Sequence, residues 1–266
     1  MNSIKKLISI ALVSLFIISC SDDSNNDTGG VIIDDEGISV DTSGNTKTTG
    51  TSANELLSEQ KFDKLYLEIV YVEGFKPTDE TISNFSAFLE QRLNKSGGIE
   101  IEQREIASPG LSVYSINDII DIETEQRSAY NSENEIAVYA FFADGEYSEN
   151  TENGSVLGVA YRNTSFVMFE KTIQDFSENA FAPSLSVLET TVINHEFGHL
   201  LGLVNAGSTP QSDHQDTEHG RHCDVDNCLM YWTAETGEGL LSMLTGGSIA
   251  SLDAQCIADL QANGGK

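Results

Sequence analysis

The sequence predicts an α+β fold, with a mixed twisted sheet on one side, helices on the other and a smaller C-terminal subdomain. Strand-like and helical patterns alternate between residues 62 and 143, which places helices against a sheet. Two more strand-like runs, 156–161 and 165–173, follow with no helical pattern between them. A long apolar helical stretch at 187–204 then closes the first part of the domain.

The individual elements follow from residue type and from the residues at their ends. The stretch 62–72 is rich in β-branched and aromatic residues and stops before a glycine and a proline, which is typical of a buried strand. Thr78 then precedes a helix with two acids in its first turn. The remaining predicted elements are a strand over 99–106, a helix from Ser115, a strand over 135–143 and a last amphipathic helix over 249–260.

Composition bounds the class of protein. The chain has 266 residues, enough for one sizeable domain plus appendages. Its net charge is −28 with only 14 Lys and Arg residues, which argues against the basic face that binds nucleic acid. We therefore expect a monomer with an acidic surface and no nucleic-acid partner.

The N-terminus reads as a targeting segment. Lys5 and Lys6 precede an apolar run over 7–19 that is too short to span a bilayer as an ordinary helix. The run ends in Ser19-Cys20 and resembles a bacterial lipobox, in which the cysteine is lipidated and becomes the first mature residue. The resemblance implies a signal peptide over 1–19 and a membrane anchor at Cys20. The alternative is a cleaved secretory signal with an incidental cysteine.

A polar tract follows the cysteine. Residues 21–60 hold nine acidic residues and a single lysine, Lys47, and are rich in Ser, Thr, Asn and Gly. Such a composition predicts a disordered acidic tether over 20–60. The resemblance to lipoproteins implies that Ser21, directly after the cysteine, directs transport to the outer membrane, and the acidic run resembles the surface-export signals of some Gram-negative lipoproteins. We expect a lipid-anchored protein exposed on the bacterial surface.

The stretch 187–204 contains the pattern HExxH as His195-Glu196-Phe197-Gly198-His199. Residues four apart share a helix face, so both imidazoles can reach one metal ion, and Glu196 can contact a metal-bound water. Ser186 and Glu189 have capping-box spacing, and Gly202 fits a left-handed stop. All five histidines of the chain lie between residues 195 and 222, which favours a metal site over a buried helix with two hydrogen-bonded histidines.

The order of strands before an HExxHxxG helix resembles the upper subdomain of metzincin metallopeptidases. The resemblance covers residues 61–266, with an upper subdomain to about 202 and a lower subdomain over 203–266. It implies a zinc ion, a peptide or protein substrate, and an edge strand, here 156–161, to which that peptide adds.

The third metzincin ligand is not at its usual position. Three residues after Gly202 stands Asn205, a poor zinc ligand. Further on, His222-Cys223-x4-Cys228-x-Met230 is similar to the sequence that archaemetzincins have after their glycine. This implies a 17-residue insertion over 205–221, His222 as third ligand and Met230 as the floor beneath the metal. His214 is the rival ligand, with neighbouring acids that could orient it.

Three cysteines remain besides Cys20. In an oxidising compartment, two of them could form a disulfide, with Cys223–Cys228 the pair in question. The archaemetzincin resemblance instead implies a second, structural zinc bound by Cys223, Cys228 and Cys256, completed by Asp253 or a spare histidine. The residues do not decide between the two.

The expected function is zinc-dependent endopeptidase activity with Glu196 as general base and His195, His199 and His222 as ligands. A surface-binding lipoprotein with a zincin-like fold and no catalysis is the alternative, and Asn205 motivates it. A gluzincin with a downstream glutamate as ligand is a third interpretation, but it leaves Gly202 and Met230 unexplained.

Overall fold

The computed structural model describes residues 30–33, 39–151, 154–244 and 247–266. The predicted signal peptide and Cys20, the predicted site of lipidation, lie outside the described residues. Within the described ranges, no helix has both the length and the apolar character needed to cross a membrane.

The fold is mixed α/β. The strands are β1 Val31–Ile33, β2 Ser39–Asp41, β3 Lys64–Val72, β4 Gly98–Ile106, β5 Val113–Tyr114, β6 Glu135–Phe142, β7 Glu146–Tyr147, β8 Gly158–Arg162 and β9 Ser165–Met168. The α-helices are α1 Ala53–Leu57, α2 Asp79–Arg92, α3 Ile116–Gln126, α4 Glu170–Ser177, α5 Leu185–Leu200, α6 Gly237–Met243 and α7 Ala254–Ala262. A 3-10 turn covers Trp232–Glu235.

The main sheet has five strands in the order β4-β3-β6-β9-β8. The first four strands pair in parallel, and β8 runs antiparallel to β9. The edge strand predicted over 156–161 is therefore β8, beginning at Gly158. The run predicted as a strand to residue 173 ends at Met168, because α4 starts at Glu170.

Helices cover both faces of this sheet. On one face, Phe85 of α2 and Phe197 of α5 pack with Ile69 of β3. On the other face, Ile119 of α3 packs with Phe141 of β6. The expectation of helices on one side only is wrong, since parallel central strands are apolar on both faces and require cover on each.

Helix capping was predictable where the cap is local. Thr78 accepts a hydrogen bond from the backbone of Thr81, as expected, and Ser115, which was expected to begin a helix, forms a capping box with Asp118. The capping box at Ser186 and Glu189 is wrong, because the helix begins at Leu185. Glu189 instead accepts hydrogen bonds from the backbone and side chain of Thr78, at 3.0 and 2.8 Å, and so ties α5 to the start of α2.

Part of the predicted tether is packed against the domain. Leu56 and Leu57 of α1 are fully buried. The buried Asn45 side chain donates hydrogen bonds to the Ala137 carbonyl and to Thr164 Oγ1, each at 3.0 Å. Residues 42–52, called the strap below, run beside the sheet, so this stretch is fixed by specific polar contacts despite its composition.

Candidate metal centres

Helix α5 places the side chains of His195 and His199 on one face and ends at Leu200. Gly202 has φ +70°, the left-handed conformation expected at a helix end, and its N–H donates to the His199 carbonyl at 3.0 Å. Val204 and Asn205 also have positive φ, at 51° and 63°. The chain therefore turns sharply away from the helix, and Asn205 contacts Gln215 rather than the histidines.

The structure brings His222 to the α5 histidines. Its ring centroid lies 5.4 Å from that of His195 and 5.2 Å from that of His199. The Nε2 atoms of His195 and His199 are 3.1 Å apart. Two tetrahedral ligands bound at about 2.0–2.1 Å lie about 3.3 Å from each other, so this spacing suits a shared zinc ion.

A fourth residue, Glu235, completes the group and was missed from the sequence. Its Oε1 lies 3.3, 2.9 and 3.0 Å from the Nε2 atoms of His195, His199 and His222. All four of these atoms lie within 4.8 Å of one another, close enough to share one metal ion. One signal could have found Glu235: it is the only charged residue between Asp226 and Glu238, shortly after Met230.

The tautomers of the histidines point to a cation. His195 Nδ1 lies 2.6 Å from the Leu229 carbonyl and His222 Nδ1 lies 2.6 Å from the His219 carbonyl, so each Nδ1–H donates there. In the neutral ring, Nε2 then carries a lone pair that faces the Glu235 carboxylate. Burial lowers the pKa of His199 to about 4, which disfavours the protonated form of its imidazole. A metal ion satisfies all four groups at once.

Glu196 is fully buried beside this centre. Among the described residues, neither of its carboxylate oxygens has a hydrogen-bond partner of ordinary geometry. Burial, with a smaller contribution from Glu235, raises the pKa of Glu196 well above its usual value. Gly158 of β8 lies against it, and a Cβ on Gly158 would stand 2.7–2.9 Å from the Glu196 side chain.

Replacing Gly158 by Ala is therefore expected to displace the Glu196 carboxylate while the fold persists. We expect any reaction that uses Glu196 as a proton acceptor to slow by about tenfold or more, since small misplacements of reacting groups are costly. Steady-state kinetics and circular dichroism measure the two effects. Gly154, where an added Cβ meets nothing within 4 Å, provides the matched control as Gly154→Ala.

Met230 packs against helix α5 at Gly198, on the side where the resemblance places it. It is fully buried, and its Sδ would stand 2.4 Å from a Cβ placed on Gly198. Its backbone carbonyl accepts from the Cys223 N–H at 2.8 Å, which links the floor to the segment carrying His222.

A cleft opens onto the histidine centre. Its lining includes the β8 backbone from Gly158 to Ala160, the ligand candidates His199, His222 and Glu235, and Thr49 from the strap. Thr49 Oγ1 donates to the Ala160 carbonyl at 3.0 Å, and the Asn163 N–H donates to the Lys47 carbonyl at 2.9 Å. The strap thus occupies the free edge of β8 beyond Ala160.

The three cysteines form a second buried cluster. The Sγ atoms of Cys228 and Cys256 lie 3.6 Å apart, beyond the 2.05 Å of a disulfide, and all three cysteines are free. Cys223 Sγ lies 3.4 Å from His214 Nδ1 and 3.4 Å from Asp253 Oδ2. The three thiols share hydrogen bonds, which lower the pKa of Cys228 and raise those of Cys223 and Cys256, so one thiolate is favoured among the three.

His214, the rival third ligand, lies in this second cluster and not with the α5 histidines. Its Nε2 lies 2.8 Å from Asp259 Oδ2, and both side chains are fully buried. Donation of Nε2–H to Asp259 leaves the Nδ1 lone pair directed at the thiols, 3.4 Å from Cys223 and 4.0 Å from Cys256. A carboxylate behind an imidazole is the usual support of a metal-binding histidine.

Comparison with solved structures identifies the fold. No protein-family model matches the chain, and no curated protein matches it. The archaemetzincin AmzA from Methanopyrus kandleri is similar with a TM-score of 0.51 and 16% identity, over 76% of this chain and 96% of that chain. The chain thus has the fold of a structure described as an archaemetzincin.

Two further structures have lower scores. A zinc-dependent peptidase from Methanocorpusculum labreanum has a TM-score of 0.44 and 14% identity, over 73% of this chain and 99% of that chain. Metalloproteinase-II from Bacteroides fragilis has a TM-score of 0.41 and 16% identity, over 77% of this chain and 54% of that chain.

Proposed function

We propose that this protein is a zinc-dependent endopeptidase. The observation that carries the proposal is a buried carboxylate, Glu196, with no hydrogen bond of ordinary geometry to the described residues, beside three imidazoles whose Nε2 atoms converge. The donor set of His195, His199 and His222 suits zinc, and the bound ion would supply a Lewis acid for the scissile carbonyl and acidify water.

The residues of the chain have separate tasks in this proposal. The β8 backbone at Gly158–Ala160 lines the cleft, and an extended peptide can pair with it by strand addition. Glu196 takes a proton from the attacking water and passes it to the leaving amine.

Peptide digestion with mass spectrometry tests the function. The full-length protein, loaded with zinc, is expected to cut unstructured peptides at internal bonds, to lose this activity with a chelator and to regain it with added zinc. Products trimmed only from one end would replace the endopeptidase assignment by an exopeptidase. Zinc binding without hydrolysis of any peptide, by the wild type or by Glu235→Ala, would support the zincin-like binding lipoprotein instead.

We further propose a second, structural zinc site made of Cys223, Cys228, Cys256 and His214. The close approach of the three thiols and the Asp259-supported imidazole favour this set over a disulfide. Asp253 is the alternative ligand: its Oδ1 caps α7 by accepting the Cys256 N–H at 2.8 Å, but its Oδ2 lies 3.4 Å from Cys223 Sγ, and the carboxylate is within reach of His214 and Cys256. The site would fasten the inserted loop to α7.

Metal counting tests this second site. Full-length protein is expected to hold about two zinc ions, and His214→Ala about one, with lower thermal stability. The control is His219→Ala, since the His219 side chain is 39% exposed and belongs to neither cluster. Equal zinc content in wild type and His214→Ala, or a Cys223–Cys228 disulfide in the purified protein, would contradict the proposal.

The lipid anchor is also a proposal, supported by the sequence around Cys20 alone. We expect incorporation of labelled palmitate in growing cells and its loss in Cys20→Ser. Surface exposure is expected to make the labelled protein accessible to added protease in intact cells. An unlabelled, freely released protein would instead indicate an ordinary secretory signal.

A further inference from the structure

Glu235 stands where the proposed peptidase would need an open position. A catalytic zinc site has three protein ligands and leaves the fourth position to water or substrate, whereas four protein ligands are typical of structural sites. Here one carboxylate oxygen lies 2.9–3.3 Å from all three Nε2 atoms. Without substrate, the histidine centre therefore offers four protein ligand atoms, the number typical of a structural zinc site.

The backbone holds Glu235 in this place. Its carbonyl accepts a hydrogen bond from the Leu157 N–H at 2.9 Å, and the Gly237 N–H donates to the Ser155 carbonyl at 3.0 Å. Val156 and Thr236 form an antiparallel bridge between these two contacts. The 3-10 turn that carries Glu235 is thus attached to the chain entering β8, on the wall of the cleft.

The four candidate ligands differ in exposure. The side chains of His195, His199 and His222 are 0%, 8% and 10% exposed, whereas that of Glu235 is 30% exposed. A buried side chain can leave a shared ion only if its surroundings open, whereas a partly exposed carboxylate has water beside it. Glu235 is therefore the member of the group best placed to exchange with water or substrate.

We propose that Glu235 is a displaceable fourth protein ligand that closes the metal centre in the resting state and yields its position when substrate enters the cleft. This inference rests on the proposed function and adds a latency device to it. A substrate that pairs with β8 contacts the strand whose preceding residues, 155–157, hold Glu235 in place. Substrate binding and release of the carboxylate are thereby coupled through one segment of backbone.

Cobalt substitution tests the coordination without requiring turnover. Full-length wild type, Glu235→Ala and Glu235→Gln are loaded with Co²⁺, and visible spectra are recorded during titration with acetohydroxamate. We expect both variants to have altered spectra and to bind acetohydroxamate about tenfold or more tightly than wild type, because an intramolecular ligand competes at high effective concentration. The exposed Glu238, on the following helix, gives the charge-matched control Glu238→Ala.

The outcomes separate the two proposals. Identical spectra and hydroxamate affinities in wild type and both Glu235 variants, with native circular dichroism, would overturn the inference. Altered spectra together with a higher peptide-cleavage rate in Glu235→Ala support both coordination and latency, and altered spectra with a lower rate overturn latency. If no protein cleaves any peptide while hydroxamate binding follows the expected order, the peptidase proposal fails and the coordination by Glu235 stands.

Discussion

Replacement of Glu196 by Gln is expected to lower the rate of peptide hydrolysis by about 10²–10⁴-fold, the range that general acid–base catalysis contributes. The amide has nearly the same shape as the carboxylate but cannot take a proton from water. The change should leave the fold intact, because among the described residues neither Glu196 oxygen makes an ordinary hydrogen bond that would be lost. Zinc content is expected to equal that of wild type.

The measurement is kcat/KM on one peptide, in the wild-type background and in Glu235→Ala. The second background removes the fourth candidate ligand, so a low basal rate cannot hide the effect of Glu196. The control is Asn194→Ala, a neighbouring α5 residue that lies in neither metal-binding group. Retained turnover in Glu196→Gln with full zinc content would rule out the general-base role.

The second large effect is expected on stability, at Glu123. This buried carboxylate lies 2.7 Å from Arg127 Nη1 and 2.8 Å from Arg162 Nη1 and accepts a hydrogen bond from Ser165 at 2.6 Å. Glu123→Ala leaves two buried guanidinium groups without this carboxylate. Loss of one partner of a buried ion pair costs about 3–5 kcal/mol, so we expect a decrease of that size in the free energy of unfolding.

Urea unfolding followed by circular dichroism measures this decrease. Glu125→Ala, an exposed position on the same helix, is the matched control and should stay within about 0.5 kcal/mol of wild type. A loss below about 1 kcal/mol in Glu123→Ala would show that water or rearranged partners solvate the two arginines. The visible spectrum of the cobalt-loaded protein should be unchanged in the folded variant.

The sequence predicts those parts of the fold whose signals are local. Thr78 and Ser115 cap their helices because each meets a backbone N–H three residues on. The spacing of His195 and His199 places both rings on one helix face, and the spacing from His222 to Met230 selects the histidine that the structure brings to them. In each case, a few neighbouring residues determine the geometry.

The features that the sequence does not predict depend on contacts between distant parts of the chain. Glu189 has the spacing of a capping residue, but its carboxylate accepts a hydrogen bond from Thr78, 111 residues earlier in the chain. His214 forms a hydrogen bond with Asp259, 45 residues later, and no periodic pattern in the sequence predicts such a pair. Asn45 is buried by hydrogen bonds to Ala137 and Thr164, although its surroundings have the composition of a tether.

The strap also bears on how the domain avoids self-association. A bare outer strand offers unpaired N–H and C=O groups to any neighbouring molecule and is a common starting point for aggregation. Because Lys47 and Thr49 form hydrogen bonds with Asn163 and Ala160, the part of β8 that stays open to a further strand is short and lies near Gly158. A second copy of the domain therefore finds fewer free backbone groups along β8 than an uncovered edge strand would offer.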